Sequence, residues 1–149
     1  MTARTVAEVA EWLMQCLERT GHELLGEGRH RRVYALSATK VIKVPVGRIS
    51  TGYYEHNYRL CEKMMIRSMT ANFQEVAWSD RPHVAKCIGK ISLGIPVVIM
   101  DRVEVLQDPD NHANEHMLPE WAYEVCPDGG QVGILPSGEI VAFDYANAD

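Results

Sequence analysis

The stretch GEGRHRRVYALSATKVIK, residues 26–43, decides the fold. Gly26 and Gly28 stand one residue apart, a basic cluster follows, then Val33-Tyr34, then Lys43 at the end of a second apolar run. Three readings compete: a hairpin that covers a phosphate, a nucleic-acid patch, and an ordinary β-hairpin with a charged surface. A phosphate-covering loop needs glycines because the backbone must approach an anion without a Cβ in the way. Gly-x-Gly alone is more simply a hairpin turn. Val33 five residues after Gly28, and Lys43 fifteen after it, make the pattern more specific.

Working outward, Leu24-Leu25 and residues 33–36 and 41–44 read as three short strands, with turns at 26–28 and 37–40. Upstream, Val6, Val9, Trp12, Leu13, Cys16 and Leu17 recur at helical spacing, with Thr5 and Glu8 set as a capping box and Gly21 as the stop. Downstream, a second helix is expected from Ser50 or Thr51, carrying Tyr54, Tyr58, Cys61 and Met65 on one face. Residues 68–80 show no clear period. Strands return at 84–91 and 96–106, where PVVIM suits a buried strand. Asp108-Pro109-Asp110-Asn111 marks a loop, and 115–123 a short helix interrupted by Pro119. Residues 131–135 and 139–143 flank Pro136-Ser137-Gly138 as a compact hairpin.

The expected class is α+β: an antiparallel sheet carrying one crossing helix, in a single domain over residues 1–149. Within it, 1–21 form the N-terminal helix, 22–106 the sheet region and 107–149 the C-terminal segment. Apolar residues make up 46% and charged residues 23% of the chain, as in ordinary globular proteins. The net charge of −5 argues against nucleic acid as the main partner. No apolar run reaches membrane-spanning length and no leader is evident, so a cytoplasmic protein is expected. Cys16, Cys61, Cys87 and Cys126 are scattered singly and read as free thiols.

On these residues the chain resembles the small lobe of the protein-kinase-like fold. LLGEGRHRRVYAL is similar to that family's glycine-rich loop, with Arg31 at the third glycine position, and KVIKV to the strand that bears its phosphate-binding lysine, here Lys43. The resemblance implies five antiparallel strands and a crossing helix, with an N-terminal helix and a minimal C-terminal hairpin. It implies a nucleotide site of Gly26, Gly28, Arg31, Val33 and Lys43, with either Glu55 or Glu62 pairing Lys43. Met100 would lie beside adenine, and the backbone of Asp101 and Val103 would bond it. VCPDGGQVGILPSGEIVAFDYA reproduces the frame of the catalytic loop and metal-binding aspartate: Gln131 falls on the second metal ligand and Asp144 on the first. ATP and Mg²⁺ are the implied cofactors.

The departures weigh as much. Cys126 stands where the family has its catalytic base, and a thiol does not reproduce a carboxylate there. Asp128, two residues on, substitutes only if the loop shifts. Gln131 moves its amide oxygen about a bond length relative to asparagine, and metal coordination tolerates little of that. Only 24 residues separate Asp101 from Cys126, and five follow Asp144, which implies a small lobe with a remnant of the large one.

Two motifs compete for other chemistry. HANEH, residues 112–116, has the spacing of a zinc helix but no convincing third ligand. The basic run Arg29, His30, Arg31, Arg32 would be split between two faces by strand alternation, leaving a solvated strand end or Arg31 aimed at a phosphate. The expectation is therefore a catalytically degenerate kinase-like protein that binds and regulates another protein, in the manner of a phage factor aimed at a host protein. An active minimal ATP-dependent kinase that phosphorylates itself is the rival, and a ligand-free interaction module the third reading. Homo-oligomers are compatible with all three.

Overall fold

The computed structural model describes residues 3–28, 30–46, 48–49, 59–60, 62–106, 121 and 131–146. The first helix, α1, runs over Ala3–Arg19. Its buried seam is Val6, Ala10, Leu13 and Leu17, with Ala7 and Met14 beside it. Trp12, expected on that face, is instead 53% exposed. At about 100° per residue Trp12 falls on the side of the helix opposite the seam that Ala10, Leu13 and Leu17 define. Thr5 falls inside the first turn of the helix, so it does not precede the helix as a capping box requires. The expected stop is present. Gly21 sits at φ 84°, its N–H donates to the Glu18 carbonyl, and the His22 N–H donates to the Leu17 carbonyl. That double closure lets glycine, free of a Cβ penalty, end the helix.

Strands β1 (Leu24–Glu27), β2 (Arg31–Ala35) and β3 (Lys40–Pro45) follow as expected. A two-residue ladder, β4 (Arg48–Ile49) with β5 (Arg59–Leu60), comes next. The second helix, α2, spans Glu62–Trp78. It was expected to begin near residue 50; residues 59–60 are strand, and 50–58 lie outside the described residues, as does the helix expected near 115–123 apart from Trp121. Strands β6 (Cys87–Ser92) and β7 (Ile95–Asp101) make a hairpin, and β8 (Glu104–Val105), β9 (Val132–Ile134) and β10 (Ile140–Ala142) a small second sheet.

The main sheet has the order β1-β2-β3-β7-β6, every pair antiparallel. Register fixes its two faces. Val33, Lys43, Val98 and Gly89 lie in one cross-strand row, and Tyr34, Ile42, Ile99 and Ile88 in the next. Because side chains alternate, these rows face opposite ways. The Tyr34 face packs with α1 in a core that includes Leu13, Met14, Val44 and Ile95. The Lys43 face packs with the β9–β10 hairpin in a second core of Val41, Val98, Met100, Val132, Val141 and Tyr145. With both faces covered, residues 41–45 of β3 are buried without alternation. Among the described residues no helix is long and apolar enough to cross a membrane.

The β6–β7 turn holds Leu93 at φ 54° and Gly94 at φ 85°, both left-handed, between the paired Ser92 and Ile95. That geometry belongs to the type I′ turn, where asparagine or glycine is favoured at the first position. Leu93 is half-exposed and adopts it at a cost. Leu93→Asn is therefore expected to raise stability by about 0.5–1 kcal/mol, read as a higher urea midpoint with an unchanged m-value.

Candidate functional site

Lys43 points from the middle of β3 into the space between the sheet, α2 and the segment after β10. It is 2% exposed. A buried ammonium needs a partner, and Lys43 has two. Its Nζ donates to Glu75 Oε1 at 2.9 Å and Oε2 at 3.0 Å, and to the Phe143 carbonyl. Glu75 is a fully buried residue on the last turns of α2. The carboxylate that meets Lys43 is thus neither of the expected two. Glu55 lies outside the described residues, and Glu62 opens α2 more than three turns before Glu75.

Arg31, at the first position of β2, turns inward as well and is 7% exposed. Its Nη1 pairs with Glu75 Oε1 and donates to Asn72 Oδ1 at 3.3 Å. Its Nη2 bonds Glu75 Oε2 at 3.1 Å and Asp144 Oδ1 at 2.8 Å. The Tyr145 N–H donates to Glu75 Oε2 at 3.0 Å. One carboxylate therefore gathers five hydrogen bonds from β2, β3 and the C-terminal segment. Asn72 completes the frame by donating from Nδ2 to the Pro96 carbonyl at 3.1 Å.

The charges are set by this geometry. Burial alone would push the Glu75 carboxyl up, but Lys43 and Arg31 outweigh it and hold the group below its ordinary range. Burial also pulls the Lys43 ammonium down, with Glu75 opposing. The Arg31 guanidinium loses to burial but gains more from Glu75 and Asp144, and ends raised. The shifts of Glu75 and Lys43 pull the pair in opposite senses, the first favouring ionisation and the second opposing it. Five hydrogen bonds on one carboxylate decide for the ionised pair.

Tyr145, buried behind Glu75, donates from its hydroxyl to the Ala85 carbonyl at 2.7 Å and meets Cys87 Sγ at 3.3 Å. Burial, then Cys87, pushes its phenol up. Cys87 and Cys16 carry free thiols.

The other expected site residues fall around this cluster. Gly26 pairs with Val33 in the β1–β2 ladder, and the Gly28 N–H donates to the Arg31 carbonyl at 2.9 Å. A Cβ on Gly26 would meet nothing within 4 Å, and one on Gly28 only the Arg31 carbonyl at 3.7 Å. Nothing within the described chain demands either glycine. Met100 is buried in the second core. The Asp101 N–H donates to the Lys86 carbonyl at 3.0 Å, and its carboxylate pairs with Lys40. Val103 packs against Gly133. The Gln131 carbonyl accepts the Phe143 N–H at 3.0 Å, closing the mouth of the β9–β10 hairpin. Cys126, Asp128 and residues 112–116 lie outside the described residues. Among the described residues no group of three or more His, Cys, Asp or Glu is placed to hold a metal ion.

The basic run divides as alternation requires. Arg31 enters the cluster, while Arg32 lies on the α1 side, paired to Glu27 at 2.9 Å and close to Met14. The solvated strand end expected by default does not describe Arg31. Glu75, Asn72 and Ser68 were missed in the sequence, yet they leave a signal: polar residues at four- and three-residue steps form one stripe on α2. No protein-family model matches the chain, and no curated protein matches it.

Proposed function

We propose that the chain is a reduced kinase-like small lobe that acts by binding another protein and does not transfer phosphate. The kinase-like part draws support from a glycine-bearing hairpin, a strand lysine paired to a helix glutamate, and an aspartate delivered just after a hairpin. The strand order and the helix between β3 and β6 fit the same layout.

One observation carries the non-catalytic part: Arg31 bridges Glu75 and Asp144. A magnesium ion needs free hard carboxylate oxygens near the phosphates. Asp144 gives its Oδ1 to Arg31, and Gln131 offers only a neutral amide, so the residues present are a poor match for Mg-ATP. An active minimal kinase would require Arg31 to withdraw.

Support for a protein partner comes from α2. Its buried side carries Ser68, Asn72 and Glu75, while Ile66 and Phe73 stand 57% and 58% exposed on its outer side. Large apolar residues on an outer helix face are the composition of a protein contact. The phage-type resemblance would make that partner a host protein.

Incubation with Mg-ATP followed by intact mass spectrometry tests the reading. No phosphorylated species is expected, and self-phosphorylation that Lys43→Met abolishes would overturn it. For the outer face, Phe73→Glu is expected to change stability by about 0.5 kcal/mol or less. A loss of about 2 kcal/mol or more in urea unfolding would make Phe73 part of a core instead.

A further inference from the structure

We infer that the outer edge of β6 is a docking edge for an extended segment of a partner protein, one with an acidic residue between two apolar residues. The inference rests on the protein-binding half of the proposed function and gives that half a place and a ligand. β6 is the last strand of the main sheet, and Ile88, Gly89, Lys90 and Ile91 are all exposed. Two sets of bonds show which of its backbone groups face away from β7. The Lys86 carbonyl accepts the Asp101 N–H at 3.0 Å, so Lys86 faces β7. Cys87 turns the other way: its N–H donates to Ser79 Oγ at 2.8 Å, and its carbonyl accepts from the same hydroxyl at 2.9 Å. These directions alternate along a strand, so Gly89 and Ile91 also point their N–H and carbonyl groups outward. Among the described residues nothing bonds those groups. Ser79 closes one end of the edge, and Gly89 and Ile91 stay open. The opposite edge strand, β1, differs, with a register shift between Leu24 and Gly26 of the kind that blunts pairing.

An unpaired edge accepts another strand, and Lys90 decides which. A second copy pairing antiparallel through both open residues sets Gly89 of one chain against Ile91 of the other, and so Lys90 against Lys90. Like charges directly opposite disfavour that pairing. A strand with a carboxylate opposite Lys90 gains from the same position. The residues on either side of that carboxylate share the face of Gly89 and Ile91. There Gly89 uncovers Val76 of α2, whose Cγ2 lies 3.2 Å from where a Cβ would stand, and Ile91 is 72% exposed. That floor suits apolar side chains.

The test titrates the end-capped peptide Thr-Thr-Ile-Glu-Val-Thr-Thr into the isotope-labelled full chain and follows amide shifts by NMR. The amides of Gly89 and Ile91 are expected to shift saturably. Methylating the backbone nitrogens of the peptide's isoleucine and valine removes their donors to the edge and keeps every side chain. That change should weaken binding by about tenfold or more. Lys90→Glu should weaken binding about three- to tenfold and prefer a peptide with lysine in place of glutamate. No saturation by about 2 mM, or equal binding of the methylated peptide, would overturn the inference. So would a wild type that sediments as a dimer and is dissociated by the peptide, because the edge would then belong to a second copy. A phosphorylated species under Mg-ATP would sink the non-catalytic reading and leave this titration as it is. A flat titration would sink the docking edge and leave the phosphotransfer result standing.

Discussion

Replacing Glu75 with alanine is expected to cost about 3–5 kcal/mol of folding stability, because it leaves two buried cations without their shared counter-ion. Glu75→Gln should cost nearly as much, since the amide keeps the shape and loses the charge. The loss would be read by urea unfolding at neutral pH. A Lys43→Met/Glu75→Leu double variant should lose less than the sum of the single changes, because an apolar pair removes the unpaired charge along with the ion pair.

The same group gives a pH signature. The Glu75 carboxyl is held below its ordinary value of 4.5 in the folded state. Its contribution is therefore fully present above pH 4.5 and lost as pH falls through the lowered folded value. Wild type should lose stability steeply below that pH, and Glu75→Gln should lack that part of the slope.

Gly133→Ala is the second large effect. At Gly133, in the middle of β9, a Cβ would sit 2.5 Å from Val103 Cγ2, 2.8 Å from Val103 Cβ and 2.9 Å from the Glu104 carbonyl. Two of these three neighbours are a side-chain root and a backbone atom, which cannot swing away. The β8–β9 ladder must separate, at an expected cost of about 2–3 kcal/mol. Shaving the neighbour offers a check: Val103→Ala should recover part of the loss in Gly133→Ala, though the Glu104 carbonyl remains close.

What the sequence disclosed and what it hid follow from the same chemistry. The strands of the main sheet were legible because apolar runs such as KVIKV and PVVIM have no helical polar face. The β9–β10 hairpin was legible because Pro136-Ser137-Gly138 marks a turn, and Gly138 does sit at φ 91°. The second helix was misplaced because its buried side is polar. Ser68, Asn72 and Glu75 are satisfied by the Val46 carbonyl, the Pro96 carbonyl and the basic pair, so burial there does not follow hydrophobicity. For the same reason Glu75 escaped notice while Glu55 and Glu62 were weighed. Trp12 misled in the other direction, as a large apolar ring that points outward while alanines take the seam. Lys43, Arg31 and Asp144 were each singled out, and they do converge. Their joint tie to one carboxylate is a property of the fold and is not written at any single position.

The central claim is that Arg31, by engaging Asp144, stands in the way of the metal a bound nucleotide would need. Thermal unfolding with and without saturating Mg-ATP, on wild type and Lys43→Met, tests it most directly. The expected result is no shift in the wild type. A rise of about 6–15 °C that Lys43→Met loses, the size set by ligand at 100 times its dissociation constant, would contradict it.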